Sequence, residues 1–131
     1  MENIVYRNPV AEEAEIRRLE GNANNTMLLV LDGDEIVGIA TINSSHKGEL
    51  GIVVAKKYQG QGIGSRLIEM LIDWCKGNGV TTRIRLDTRT DNTPAVSLYL
   101  KFGFVVEGCL RNQTLLNGKY YDLYIMGMMI K

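Results

Sequence analysis

Apolar residues follow two rhythms along this chain. Between Ile63 and Cys75 they recur every three or four positions, at Ile63, Leu67, Met70, Leu71 and Trp74, with Arg66, Glu69, Asp73 and Lys76 on the opposite side; this predicts an amphipathic helix laid on a sheet. Gly77-Asn78-Gly79 stops it. From Arg83 to Thr88 the rhythm is alternation, with Ile84, Leu86 and Thr88 on one face and Arg83, Arg85 and Asp87 on the other, which predicts a strand. A second helix opens at Thr93-Pro94, Thr93 as its cap and Pro94 in the first helical position, and carries Ala95, Leu98, Tyr99 and Phe102 on one side. Ahead of these, Met27 to Leu31 and Ile36 to Ile42 flank Asp32-Gly33-Asp34 as a hairpin, and Leu50 to Val54 follows a turn at Ser44 to Gly48. Ile4 to Tyr6 reads as a short strand, Ala11 to Leu19 as a helix, and Asn117-Gly118 as the tight turn of a closing hairpin. The predicted class is α/β: an antiparallel meander feeds a parallel crossover unit.

With 131 residues and 45% hydrophobic content, positions 1–131 are expected to form one domain. Fifteen basic and fifteen acidic residues cancel, so no overall charge draws the chain to nucleic acid or to an anionic membrane. There is no 18-residue apolar run and no secretory segment. Cys75 and Cys109 lack metal or redox spacing, His46 stands alone in a turn, and six methionines read as core filler. A cytoplasmic, reduced chain without a metal, a nucleic-acid partner or a membrane partner is expected.

The candidate chemistry lies between strand and helix, in Gln59-Gly60-Gln61-Gly62-Ile63-Gly64. Glycines crowded there let several N–H groups of a helix N-terminus converge on an anion, as in a phosphate cradle. A dinucleotide fingerprint starting at Gly60 would need glycine where Ser65 stands, and a P-loop would need a lysine that is absent. The remaining pattern, Gln-x-x-Gly-x-Gly, resembles the acyl-CoA pyrophosphate loop of the GNAT superfamily of N-acetyltransferases. The run Asn92-x-x-Ala95-x-x-Leu98-Tyr99-x-x-Phe102-Gly103-Phe104 is similar to the second signature of that family. The tail from Glu107 to Arg111, then Asn117 to Asp122 and Met126, resembles a branch acting on small-molecule amines and peptide N-termini.

The resemblance implies a mixed sheet with helices on both faces, and transfer of acetyl from acetyl-CoA directly to a primary amine in a ternary complex. It implies that Ile52, Val53 and Val54 offer backbone groups to the pantetheine arm where two parallel strands splay. Gln59, Gly60, Gln61, Gly62, Ile63, Gly64 and Ser65 would hold the pyrophosphate, with Asn92 reaching the cofactor or simply capping its helix. Tyr99 would protonate the departing sulfur; it lies seven residues beyond Asn92, two turns along the same helical face. Asp87 stands where the family places a glutamate base, with Glu49 as competitor; either is also a surface charge or an ion-pair partner of Arg83 or Arg85. The chain is short at its N-terminus relative to the family. Ile4 to Tyr6 is a vestigial first strand, or the usual first elements are lacking and the chain starts near the second helix, the alternative we favour. The consequences are a sheet edge that invites a homodimer and an alternative function as a catalytically inactive acyl-CoA-binding sensor or interaction module.

Overall fold

The described strands of the first half of the chain form a ladder of antiparallel neighbours. The computed structural model describes residues 3–7, 14–22, 25–44, 47–60 and 62–130. Strands β1 (Asn3–Arg7), β2 (Ala14–Asn22), β3 (Asn25–Asp32), β4 (Glu35–Ser44) and β5 (Lys47–Val54) follow one another; then come helix α1 (Ile63–Gly77), β6 (Arg83–Arg89), helix α2 (Thr93–Lys101), β7 (Val105–Leu116) and β8 (Lys119–Met129). They form one sheet ordered β1-β2-β3-β4-β5-β6-β8-β7. β5 and β6 are parallel, and every other neighbouring pair is antiparallel. The expected mixed sheet, a meander feeding a parallel crossover, is borne out.

The turns follow from local chemistry. Asp32 pairs with Glu35 across Gly33-Asp34, with Gly33 at φ +61°. Asn117 and Gly118 both take positive φ, 50° and 76°, as a two-residue turn of the hairpin type requires. The turn expected at Ser44 to Gly48 is shorter: Ser44 still belongs to β4, β5 begins at Lys47, and Ser45 and His46 lie outside the described residues.

One expected element is corrected. The helix read over Ala11 to Leu19 is instead strand β2 from Ala14, with 11–13 outside the described residues. Its residues favour helices intrinsically, but β3 offers a backbone ladder from Ala14↔Asp32 to Leu19↔Met27, and Ile16 is wholly buried. Long-range pairing overrides local propensity. Ile4 to Tyr6 lies within β1, a first strand rather than the favoured start near the second helix.

α1 buries Ile63, Leu67, Ile68, Met70, Leu71, Ile72 and Cys75, a stripe broader than the one read from the sequence. These side chains share one core with Leu28, Val30, Ala40 and Ile42 of the meander, Ile84 and Leu86 of β6, Met126 of β8, and Tyr99 and Phe104. Phe102 is only partly buried against that core, and Phe104 is its deep aromatic. Met70 and Met126 fill the core as expected, whereas Met27 and Met129 are exposed. We expect Leu71→Ala, at a fully buried site, to lower unfolding free energy by about 2–5 kcal/mol; urea denaturation with an unchanged m-value would measure it.

The other sheet face carries different chemistry. Register places Met27 and Leu29 of β3, Ile39 and Thr41 of β4, and Gly51 and Val53 of β5 side by side on that face. In β6 the same face takes Arg83, Arg85, Asp87 and Arg89, since Ile84, Leu86 and Thr88 point into the core.

Candidate active site

The parallel pair that makes the crossover holds together for only three rungs, Lys47↔Arg83, Gly48↔Ile84 and Glu49↔Arg85. Beyond these rungs, Leu50 to Val54 stays with β4 while Leu86 to Arg89 stays with β8. The sheet therefore splits between β5 and β6, and main-chain groups on the inner edge of Leu50 to Val54 have no strand to bond. A cleft of about 600 Å³ occupies the split. Its walls include Ile52 and Val54 of β5, Gln59, Gly60, Gly62, Gly64 and Ser65, Asp87, Thr88 and Arg89 at the end of β6, and Asn92, Ala95, Leu98 and Tyr99. Because Thr88 and Asp87 belong to opposite sheet faces, the cleft is lined from both sides of the sheet.

The glycine loop forms one end. Gly60 and Gly62 adopt φ +77° and +81°, which L-residues with side chains rarely take. A methyl group at Gly60 would meet nothing within 4 Å, so the loop is open in front of it, whereas at Gly64 it would lie 3.3 Å from Leu98 Cδ2. Gly64 therefore lets α1 and α2 approach closely. Gly62 caps α1 without a side-chain hydrogen bond, and no acidic residue occupies the first turn. The N-terminal amides and positive dipole end of α1 are thus uncompensated within the helix, which fits a pyrophosphate. Two side chains secure the loop: Gln59 Nε2 donates to the Val54 carbonyl at 2.9 Å, and the Tyr58 hydroxyl donates to the Asp32 carboxylate. Gln59's side chain is thereby committed to clamping the loop onto β5.

The second helix supplies the middle of the cleft. Asn92, not Thr93, is the cap; its Oδ1 accepts from the Ala95 amide at 3.4 Å, and Pro94 takes the second helical position. Tyr99 lines the cleft at 9% exposure. Its ring meets Phe104 edge-on, with centroids 5.8 Å apart at 66°. Burial raises the phenol pKa above its usual value, so the hydroxyl stays protonated.

Asp87 stands at the opposite side of the split, exposed and in the cleft wall. Arg83 pairs with Glu107 at 2.7 Å. Arg89 Nε and Nη2 donate to Asp91 Oδ1 and Oδ2 at 3.0 and 2.7 Å, and the Arg89 guanidinium carbon lies 3.8 Å from the centre of the Tyr121 ring. These hydrogen bonds raise the arginine pKa and lower that of Asp91.

Most of the residues expected at the site thus gather there; the side chains of three do not line the cleft, and a fourth residue is not described. Val53 points to the other sheet face at 71% exposure, Ile63 is sealed in the core at 1%, Glu49 is absent from the cleft wall, and Gln61 lies outside the described residues. For Val53, alternation in β5 sends Ile52 and Val54 inward and Val53 outward. Arg89, Thr88 and Leu123 also line the cleft but escaped the sequence reading; continuing the Arg83, Arg85, Asp87 alternation two residues further would have found Arg89. Among the described residues no cluster of histidine, cysteine and acidic side chains is arranged to hold a metal, and no helix is long and apolar enough to cross a membrane.

Comparison with known proteins agrees with this geometry. The profile of the Acetyltransferase (GNAT) family matches residues 2–104. The chain is 35% identical to the L-amino acid N-acetyltransferase AaaT of Escherichia coli (strain K12), over 76% of this chain and 65% of that protein. It is 29% identical to the spermidine N(1)-acetyltransferase of Vibrio cholerae, over 91% of this chain and 66% of that protein. The crystal structure of a GNAT-family acetyltransferase from Streptococcus pneumoniae superposes with a TM-score of 0.77 at 36% identity, covering 82% of this chain and 68% of that one. The chain therefore spans about two thirds of the length of the curated relatives it matches.

Proposed function

This chain belongs to the GNAT acetyltransferase family, and from that premise we propose that residues 1–131 act as one N-acetyltransferase domain, transferring acetyl from acetyl-CoA directly to a primary amine of a small molecule, amino acid or peptide N-terminus in a ternary complex. The observation that carries this reading is the cleft through the β5–β6 split, whose wall includes the uncapped glycine loop, buried Tyr99 and exposed Asp87. Acetyl-CoA supplies the acetyl group as an activated thioester; Gly60, Gly62, Gly64 and Ser65 would receive its pyrophosphate, and the main-chain edge of Ile52 to Val54 that faces the split its pantetheine arm.

An alkylammonium is neutral in only about one molecule per few thousand at pH 7, so the acceptor must lose a proton. Asp87 takes that proton through a water, since its side chain is short. As the amine nitrogen forms the new C–N bond, the C–S bond breaks. A backbone N–H on the inner edge of β5 stabilises charge on the carbonyl oxygen. Tyr99 gives its hydroxyl proton to the departing thiolate and regains one from the water that takes the second proton off the acylated nitrogen.

The test is calorimetric titration with acetyl-CoA, followed by thiol release with a panel of amines. Micromolar binding with amine-dependent release is the expected result. Binding with no release from any amine would leave the acyl-CoA sensor, and no binding would remove both readings. Asp87→Asn should lower the rate about 100-fold at pH 7, whereas Glu49→Gln, away from the cleft wall, should stay within about threefold. The reverse order would make Glu49 the base. The outer strands β1 and β7 leave edges that fit a homodimer, a reading that a monomeric mass at micromolar concentration would overturn. Balanced charge supports an enzyme without nucleic-acid or membrane partners, and two cysteines without metal or redox spacing support a reduced, cytoplasmic chain without a metal.

A further inference from the structure

We propose that Arg89 recognises a carboxylate carried by the acceptor next to its amine, so that the substrate class is the free α-amino acids rather than polyamines; this rests on the acetyl-transfer reading above. Three features of Arg89 converge. It lines the cleft, it lies on the same face of β6 as Asp87 two residues on, and its side chain is one third exposed, at 33%.

Its guanidinium is also held in place before any ligand arrives. Asp91 occupies the Nε–Nη2 edge with two hydrogen bonds of 3.0 and 2.7 Å, and Tyr121 packs its ring 3.8 Å from Cζ. The opposite edge, with Nη1, has no carboxylate partner among the described residues. A planar fork fixed along one edge offers the other to a carboxylate in a bidentate pair, and little side-chain freedom remains to be lost on binding.

Spacing selects the acceptor. Residues two apart on a strand are separated by about 6.8 Å, while in an α-amino acid the nitrogen and carboxylate carbon are about 2.5 Å apart across two covalent bonds. An amine served by a water on Asp87 and a carboxylate met by the long Arg89 side chain are compatible with that span. A polyamine would place a second ammonium beside Arg89 and Lys119, whose Nζ is 5.2 Å from the same Tyr121 ring, where Asp91 is already engaged by Arg89, and would leave the free guanidinium edge without a carboxylate. The cofactor phosphates are a poorer match for Arg89. The α1 N-terminus that suits them caps a helix packed on the core face, and Arg89 projects from the other face.

The experiment titrates the chain, saturated with CoA, with L-amino acids of small, aliphatic, aromatic and polar type, each as free acid and as amide, and with spermidine. For the preferred side chain the acid should bind at least about 10-fold more tightly than its amide and than spermidine. Arg89→Gln should bring that ratio to about threefold or less, and Arg89→Lys should retain part of it. Equal affinity for acid and amide, preference for spermidine, or binding of none of them overturns the proposal. So does a loss of acetyl-CoA affinity in Arg89→Gln as large as its loss of amino-acid affinity, which would make the bound anion a cofactor phosphate. The acid-to-amide comparison needs no variant and no turnover. Carboxylate-dependent binding without thiol release would sink acetyl transfer alone, and thiol release as fast from amides as from acids would sink this proposal alone.

Discussion

Tyr99→Phe is expected to lower kcat by about 100- to 1000-fold while acetyl-CoA affinity changes by about threefold or less. The substitution deletes one hydroxyl and leaves the ring packed edge-on against Phe104 at 5.8 Å. If the hydroxyl protonates the departing thiolate, its contribution exists only as the C–S bond breaks, and removing it costs rate rather than ground-state binding. Burial raises the pKa of this phenol above its ordinary value, so its protonated form is favoured to higher pH than that of a free tyrosine. Any alkaline fall in rate due to Tyr99 is therefore displaced to higher pH than for an ordinary phenol and vanishes in the variant. Linkage has the same sign: protonation of a group whose folded pKa is raised adds stability that is full below its unfolded pKa and lost as pH rises through the folded one. Single-turnover kinetics across pH 7–11 would measure these effects. A rate for the Tyr99→Phe variant within about threefold of wild type would show that solvent protonates the thiolate unaided.

The parts of this fold visible in the sequence are those whose cause is local. α1 announces itself by the spacing of Ile63, Leu67 and Leu71, and its start and stop by glycines at positive φ, Gly62 at 81° and Gly79 at 73°. Asn117-Gly118 forces a turn that few other dipeptides could make. β2 illustrates the opposite case. Glu15, Arg17, Arg18 and Leu19 read as helix formers, and only the ladder supplied by β3 makes the segment a strand. Nor does β7 alternate legibly, because register shifts between Val106 and Gly108 and between Leu110 and Thr114 interrupt its pairing and reset which side chain faces which way. At the site, Tyr99, Asn92 and the glycines were legible through their motif and helical spacing. Arg89 was not, because its importance lies in Asp91 and Tyr121 meeting around it at the cleft wall. Asp91 is near in sequence, but Tyr121 comes from another strand.

Gly62→Val is expected to weaken acetyl-CoA binding by about 30-fold or more, with kcat at saturation little changed. Gly62 combines two constraints. Its backbone sits at φ +81°, ψ 2°, where a β-branched residue is strained by about 1–2 kcal/mol, and it is the residue from which α1's uncompensated amides emerge into the cleft. Relief of the strain would rotate those amides off a common focus, and the isopropyl group would occupy the approach to them. Strain alone would be felt as lost stability, a Tm lower by about 4–8 °C for a domain of this size. Gly79→Val separates the two effects. Gly79 has a similar φ of +73° with open space around it and takes no part in the cleft wall, so its variant should lose comparable stability and keep acetyl-CoA affinity. Were both variants to bind acetyl-CoA like wild type, the α1 N-terminus would not be the phosphate seat, and the cofactor would have to enter from the Arg89 side of the sheet. The carboxylate assignment of Arg89 would fall with it, because a single guanidinium edge cannot serve both anions.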